Sequence, residues 1–263
     1  MLGTDSTVEG RMGGEADAAT LAVTWLGHAS CLIELDGVRL LTDPVLGRTV
    51  GPLVRYAPAP AVPDPVDAVL LSHLHADHAD VRSLRRFAGA KLIAPAGAGS
   101  WLARKGLGGA VELEPGESVL VGEVSIHATE ADHDGQRWRY GHRAGSIGFV
   151  ARGASACYFA GDTDLFEGMR ELSGIDAALL PVSGWGPTLG AGHLDPDRAA
   201  QAAAMIEPRV AIPIHWGTLG LPNRRGPSAE PARRFAAAAG AEAPRVDVRV
   251  LAPGERTVIE GVR

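Results

Sequence analysis

From Leu21 onward the chain alternates short apolar runs with turn residues, a rhythm that predicts mostly strands at first and helices later. LAVTWLG (21–27), CLIEL (31–35) and VRLLT (38–42) read as strands, with Asp36-Gly37 as a hairpin turn between the last two. Pro44 ends the third run. The Pro-rich stretch that follows to Pro65, YAPAPAVPDP included, predicts an exposed, semi-rigid loop. VDAVLLSH (66–73) is apolar and ends in a polar cluster, the pattern of a buried strand that feeds a site at its C-terminal end. Beyond it Val81, Leu84 and Phe87 share helical spacing behind Asp80, a candidate cap.

KLIAP (91–95) predicts a strand and the residues around Ser100 to Lys105 a helix. The segment 111–132 reads as strands joined by Pro-Gly and Gly-Glu turns, and SIGFVA (146–151) and ACYFAGD (156–162) as a further pair. DAALLPV (176–182) and VAIPIHW (210–216) are apolar strands on either side of an Ala-rich helix, which starts at Asp195-Pro196 and stops at Pro208. A second helix is expected over 228–240, ending at Gly240, and strands at VDVRVL (246–251) and RTVIEG (256–261). Helices and strands mixed in this order imply a layered α/β fold.

Composition narrows the class. With 263 residues, 46% of them hydrophobic and 21% charged, the chain fits one large globular domain, expected over 21–263. Residues 1–20, rich in Gly, Ala, Thr and acidic residues, read as a disordered lead-in, and Met12 is an alternative start. A net charge of −6 argues against a polyanion-binding face, so no nucleic-acid partner is expected. No segment reaches the roughly 18 consecutive apolar residues that cross a bilayer, and the lead-in lacks a signal-peptide core. The expectation is a cytoplasmic protein without integral membrane association. Cys31 and Cys157, each inside an apolar run, are expected to be buried free thiols rather than a disulfide or a nucleophile.

The chemistry concentrates in Ser72-His73-Leu74-His75-Ala76-Asp77-His78, with three His and one Asp within six residues just past a strand. His73 and His75 point the same way in extended chain. Imidazole and carboxylate at this density are the donors that zinc, iron and manganese accept. One such cluster cannot fill two coordination spheres, and three distant candidates lie at strand ends: His133, Asp162 and His215. For the first of these His142 and His127 are open alternatives.

HxHxDH at 73–78, a downstream His, GDT at 161–163 and a late His after a strand together resemble the metallo-β-lactamase superfamily. TWLGHAS (24–30), LLTDPVL (40–46), GHLDP (192–196) and IPIHWGT (212–218) are similar to the branch that holds ascorbate-6-phosphate lactonase and the N-acylphosphatidylethanolamine-hydrolysing phospholipase D. The resemblance spans roughly residues 21–220 and implies a four-layer αββα sandwich with the site along one edge of two facing sheets. It implies two divalent metal ions, Zn2+ first and Mn2+ second. His73, His75 and His133 would hold one, Asp77, His78 and His215 the other, with Asp162 bridging. The implied activity is hydrolysis of an ester-type bond, a phosphodiester or a lactone, in an anionic small molecule or lipid. Two ions about 3.5–4 Å apart hold a hydroxide as nucleophile at neutral pH.

Asp77 is also expected to handle the nucleophile's proton, and His193, by its GHxDP position, to contact the substrate as a second catalytic residue. His28 and Asp43 are candidates to orient ligands from behind. Trp185 is a candidate pocket wall, and Arg137, Arg139, Arg143, Arg224 and Arg225 are candidate anion contacts. The alternative reading is an iron-dependent redox enzyme, thiol dioxygenase-like, on the same fold. Retention of Asp77, His78 and His215 weighs against its mononuclear form, and His75 against a di-iron one.

Overall fold

The computed structural model describes residues 20–58, 61–62, 65–135, 141–183, 189–223, 226 and 228–260. Met12 and the lead-in up to residue 19, together with Trp185, Arg137, Arg139, Arg224 and Arg225, lie outside the described residues.

The chain opens with an antiparallel meander, β1 (Thr20–Gly27), β2 (Ser30–Leu35) and β3 (Val38–Thr42). Asp36 and Gly37 turn the hairpin with φ of 49° and 78°, the left-handed conformation that such tight turns need. Two short strands, β4 (Thr49–Val50) and β5 (Leu53–Arg55), then leave the sheet. Parallel crossovers extend the first sheet through β6 (Ala68–Leu70), α1 (Val81–Arg86), β7 (Lys91–Pro95), α2 (Gly99–Arg104) and β8 (Val111–Leu113). Asp80 caps α1 by accepting from Ser83 N and Oγ.

The second sheet starts with the antiparallel strands β9 (Ser118–Val121), β10 (Val124–Thr129), β11 (Gly148–Arg152) and β12 (Ala156–Phe159). It continues in parallel with β13 (Ala177–Pro181), then α3 (Pro196–Ile206) and β14 (Val210–Ile214). After β15 (Leu219–Gly220) and α4 (Glu230–Glu242), β16 (Asp247–Val248) closes this sheet. β17 (Arg256–Glu260) returns to pair with β1. Each large sheet has seven strands, in the orders β17-β1-β2-β3-β6-β7-β8 and β16-β14-β13-β12-β11-β10-β9.

Period-two alternation decides how the layers stack. On β1 to β7, Leu21, Val23, Trp25, Cys31, Ile33, Leu40, Leu70 and Ile93 turn into one cluster with Phe149, Tyr158 and Phe159 of the second sheet. Their neighbours Leu26, Leu32, Leu41, Val69, Leu71 and Ala94 turn the other way, onto Leu84 of α1, Phe87 at its C-terminal end, and Trp101 and Leu102 of α2. α3 and α4 pack on each other and on β13 and β14. The result is the expected four-layer αββα sandwich. β12, β13 and β14, covered on both faces, are buried at every position, which is why they read as unbroken apolar runs.

Several expectations are corrected. The Pro-rich segment after Pro44 is not simply an exposed loop: β4 and β5 pair there with β15 in a three-stranded sheet that buries Val45, Val50, Leu53 and Leu219. The last helix runs past Gly240 to Glu242, because one Gly costs only about 1 kcal/mol in a helix whose face is already packed. Of VDVRVL only Asp247 and Val248 are strand. A 3-10 turn over Glu167–Glu171 has no counterpart in the sequence reading. Cys31 and Cys157 are buried and free; burial raises both thiols, that of Cys157 to about 12.

Candidate metal centre

Nearly all candidate residues stand just beyond the C-terminal ends of strands: His28 after β1, Asp43 after β3, His73 to His78 after β6, His133 after β10, Asp162 after β12 and His215 after β14. His193 precedes α3. Backbone hydrogen bonding stops at these ends, so the chain is free to turn side chains across the edge of the sandwich. The two sheets meet tightly here. A Cβ on Gly161 would lie 2.7 Å from Ser72 Cβ, and Gly161 has φ +63°, so glycine alone brings Asp162 beside the His73 segment.

Four overlapping groups of donors result among the described residues, with His133, Asp162 and His193 forming one and Asp43, His73 and His78 another. His73, His75 and His133 place one ligand atom each within 4.8 Å of one another, and so do His28, Asp77, His78 and His215. Asp162 lies between them. Its Oδ2 is 3.2 Å from His78 Nε2 and 4.0 Å from His73 Nε2, and its Oδ1 is 3.2 Å from His215 Nε2. His193 Nε2 reaches Asp162 Oδ2 at 3.4 Å from a side chain that is 22% exposed, at the mouth of the cluster.

Hydrogen positions follow from the partners behind the rings. A backbone carbonyl only accepts, so His133 Nδ1, 2.8 Å from Gly192 O, and His215 Nδ1, 2.5 Å from Ser183 O, carry hydrogens. His78 Nδ1 donates to the Asp43 carboxylate at 2.7 Å, and His73 Nδ1 to Ser72 Oγ at 2.9 Å. Each of these four rings, when neutral, keeps a bare lone pair at Nε2. Yet His78 Nε2 and His215 Nε2 face each other at 3.1 Å. His133 Nε2 is 3.2 Å from His75 Nδ1, in a ring of which either nitrogen can carry the hydrogen. His73 Nε2 and Asp162 Oδ1 are buried with no hydrogen-bond partner. Converging acceptors without donors are costly when desolvated, and a divalent cation between them removes the cost. The donor set therefore fits metal ions.

His28 differs from the other rings: its Nε2 lies 3.1 Å from Asp77 Oδ2, so it donates to the carboxylate from the nitrogen that the others leave bare. Its carbonyl accepts from His215 N and from the Trp25 indole, both at 2.9 Å. Asp43 has its carboxylate oxygens occupied by Ser72 N at 2.7 Å and Oγ at 2.5 Å and by His78 Nδ1. His142 and His127 are elsewhere: the first bonds Gly97 O at 2.6 Å, the second Ser118 Oγ at 2.9 Å.

The Beta-lactamase superfamily domain matches residues 38–216. The chain belongs to this family. Within the superfamily it falls among the metal-dependent hydrolases. A metal-dependent hydrolase of Methanopyrus kandleri is 34% identical over 89% of this chain and 98% of its own. The N-acyl-phosphatidylethanolamine-hydrolyzing phospholipase D 1 of Caenorhabditis elegans is 34% identical over 75% of this chain, which spans 64% of that longer protein. Among solved structures, a metallo hydrolase from Ignicoccus hospitalis superposes with a TM-score of 0.69 at 25% identity, covering 92% of this chain and 99% of its own.

Electrostatics of this superfamily member sort the histidines. Burial pushes His73 well below the usual range, His133 to about 4 and His215 to about 3, and it lowers His28. These rings are neutral at pH 7, the form that binds metal. His78 runs against its burial, because the Asp162 and Asp43 carboxylates hold its charged form. Asp162 raises His193 against burial as well. The two carboxylates behave inversely. Despite burial, His215, His78 and His193 hold Asp162 well below the carboxylate range, and His28 and His78 do the same for Asp77.

Sequence reasoning did not single out Ser72, Thr218 or the carbonyls of Ser183 and Gly192, all of which fix a site residue. Thr218 Oγ1 accepts from His28 N at 2.9 Å. Small hydroxyl residues and main-chain oxygens carry no sequence signal for such roles. Backbone strain also marks the site: His28, Asp43 and His215 adopt φ of 55°, 32° and 64°. A non-Gly residue there costs on the order of 1–3 kcal/mol.

Proposed function

We propose that this chain is a hydrolase that works with two divalent ions, zinc first and manganese second, on an ester-type bond in an anionic small molecule or lipid. The observation that carries the reading is Asp162, whose carboxylate lies between two donor groups full of inward-facing lone pairs. In this reading His73, His75 and His133 hold one ion, Asp77, His78 and His215 the other, and Asp162 is shared. When bound, the ions supply a water acidic enough to attack at neutral pH and polarise the bond under attack.

The chain's own residues do the rest. Asp43 and the carbonyls of Ser183 and Gly192 hold His78, His215 and His133 in one tautomer and one ring orientation. His28 holds Asp77, the acceptor for the nucleophile's proton. His193, partly exposed and beside Asp162, contacts the substrate oxygen on which charge develops. A phosphodiester is supported by the name of the Caenorhabditis elegans relative, and a lactone is the second bond type. Among the described residues no helix is long and apolar enough to cross a membrane. Two buried free thiols agree with a reducing compartment, and we place the protein in the cytoplasm.

The test is elemental analysis of protein purified without chelator, followed by assays on phosphodiesters and lactones. About two zinc or manganese ions per chain are expected, and Asp162→Ala should lose both metal and turnover. Full metal and full turnover in that variant would reject the shared carboxylate. About one iron per chain with oxygen uptake would replace hydrolysis by redox chemistry.

A further inference from the structure

Ser72, the residue before the first histidine of the 73–78 cluster, is in the middle of a buried chain of hydrogen bonds. His73 Nδ1 donates to Ser72 Oγ at 2.9 Å, and Ser72 Oγ donates to Asp43 Oδ2 at 2.5 Å. The same Asp43 Oδ2 receives His78 Nδ1 at 2.7 Å, while Asp43 Oδ1 takes Ser72 N at 2.7 Å. Ser72 is 1% exposed, and Asp43, His73 and His78 are fully buried, so water does not stand in for any of these contacts. Asp43 is itself held in a left-handed conformation, φ 32°, with its N–H on Leu70 O at 2.9 Å.

The consequence concerns both donor groups. His73 belongs to the group with His75 and His133, and His78 to the group with Asp77 and His215. One carboxylate oxygen therefore orients a histidine in each, directly for His78 and through the serine hydroxyl for His73. We infer that Ser72 is a positioning residue that ties the first ion position to the carboxylate serving the second. Loss of the hydroxyl then costs one ion, and loss of the carboxylate costs both. Without its acceptor, the buried His73 N–H is unsatisfied and the ring is free to turn or change tautomer. The inference rests on the two-ion reading above.

The experiment is a Zn2+ titration of the metal-free full chain against a chromophoric chelator, comparing wild type, Ser72→Ala, Asp43→Asn and the double variant. In Ser72→Ala the affinity for one ion should fall by about 10–100-fold, with the other close to wild type. Asp43→Asn should weaken both, and the double variant should lose less than the sum of the two single losses, because the carboxylate orients the hydroxyl that holds His73. Ser72→Thr, which restores the hydroxyl, should recover the lost affinity. A merely structural serine would lower the melting temperature of the metal-free protein and leave the zinc affinities of the folded protein unchanged. Wild-type affinity for both ions in Ser72→Ala, or effects that add in the double variant, would overturn the inference. If Ser72→Ala does not fold, Asp43→Asn decides: weakening of a single ion counts against the shared carboxylate. A wild-type protein that takes up one ion removes the two-ion reading. Ser72→Ala weakening that ion still supports the positioning role, and unchanged affinity overturns it.

Discussion

His78 Nε2 and His215 Nε2 face each other at 3.1 Å, each ring with its Nδ1 hydrogen already given to an acceptor behind it. With His78 neutral, two lone pairs meet there; without metal, the proton that Asp162 and Asp43 hold on His78 relieves the contact, and a bound cation takes its place. Metal should therefore stabilise the fold as well as enable the chemistry. An ion present at about 1,000 times its dissociation constant adds about 4 kcal/mol. For a chain of this size that is on the order of 10 °C in melting temperature. A thermal melt with and without chelator checks this, and an unchanged midpoint would show that a proton rather than a metal resolves the contact.

The metal-free protein should lose stability as pH falls below 6.5. His73, His133, His215 and His28 are lowered in the folded state, His133 to about 4 and His215 to about 3. Between the ordinary imidazole value of 6.5 and those values the unfolded chain binds more protons, so stability declines with falling pH. His78 and His193 are raised and do not oppose this trend. Their contribution is complete below 6.5, where they are protonated folded or unfolded, and is lost only as pH rises through their folded values. Each fully titrating group costs about 1.4 kcal/mol per pH unit in the window. Urea melts of chelated protein at pH 7, 6 and 5 should show the midpoint falling stepwise, and a flat profile would contradict the buried, neutral histidines.

Gly161→Ala should be severe for so small a change. The added carbon would meet Ser72 Cβ at 2.7 Å and Ile147 O at 3.3 Å, in a residue with φ +63°. Left-handed backbone and overpacking together cost about 2–4 kcal/mol. The strain falls between Asp162 and Ser72, so metal affinity should drop with stability. Denaturant melts and zinc titration measure the two, and a wild-type midpoint would mean that the sheets part there without cost.

His193→Ala should separate catalysis from metal binding. The side chain is at the mouth, 3.4 Å from Asp162, and its Nδ1 is tied to Gly190 O and Ala191 O at 3.2 and 3.1 Å. Metal content is expected to hold while kcat falls about 100-fold or more. Loss of an ion instead would make His193 a ligand, in the grouping with His133 and Asp162 that its position also allows.

The alternation of strands and helices and the candidate donors were legible in the sequence because both depend on local pattern, while the αββα layering and the sharing-out of donors were what the family resemblance implied. Apolar runs of period two, Asp36-Gly37, and Asp195-Pro196 act over a few residues, and the density of donors at 73–78 needs no folded structure to be noticed. His133, Asp162 and His215 were visible as polar residues at the ends of apolar runs, which is where strands deliver side chains to an edge. Three things were decided only by tertiary structure. Which of His127, His133 and His142 reaches His73 depends on how β10 leaves the sheet, and near neighbours in sequence end on different surfaces. The small sheet of β4, β5 and β15 pairs residues far apart in the chain, with Leu219 opposite Arg55, so no local run announces it. Ser72 matters only because Asp43 arrives beside it from another strand: a hydroxyl's role is set by its partner, and partners are brought together by packing across the sheet rather than by spacing along the chain.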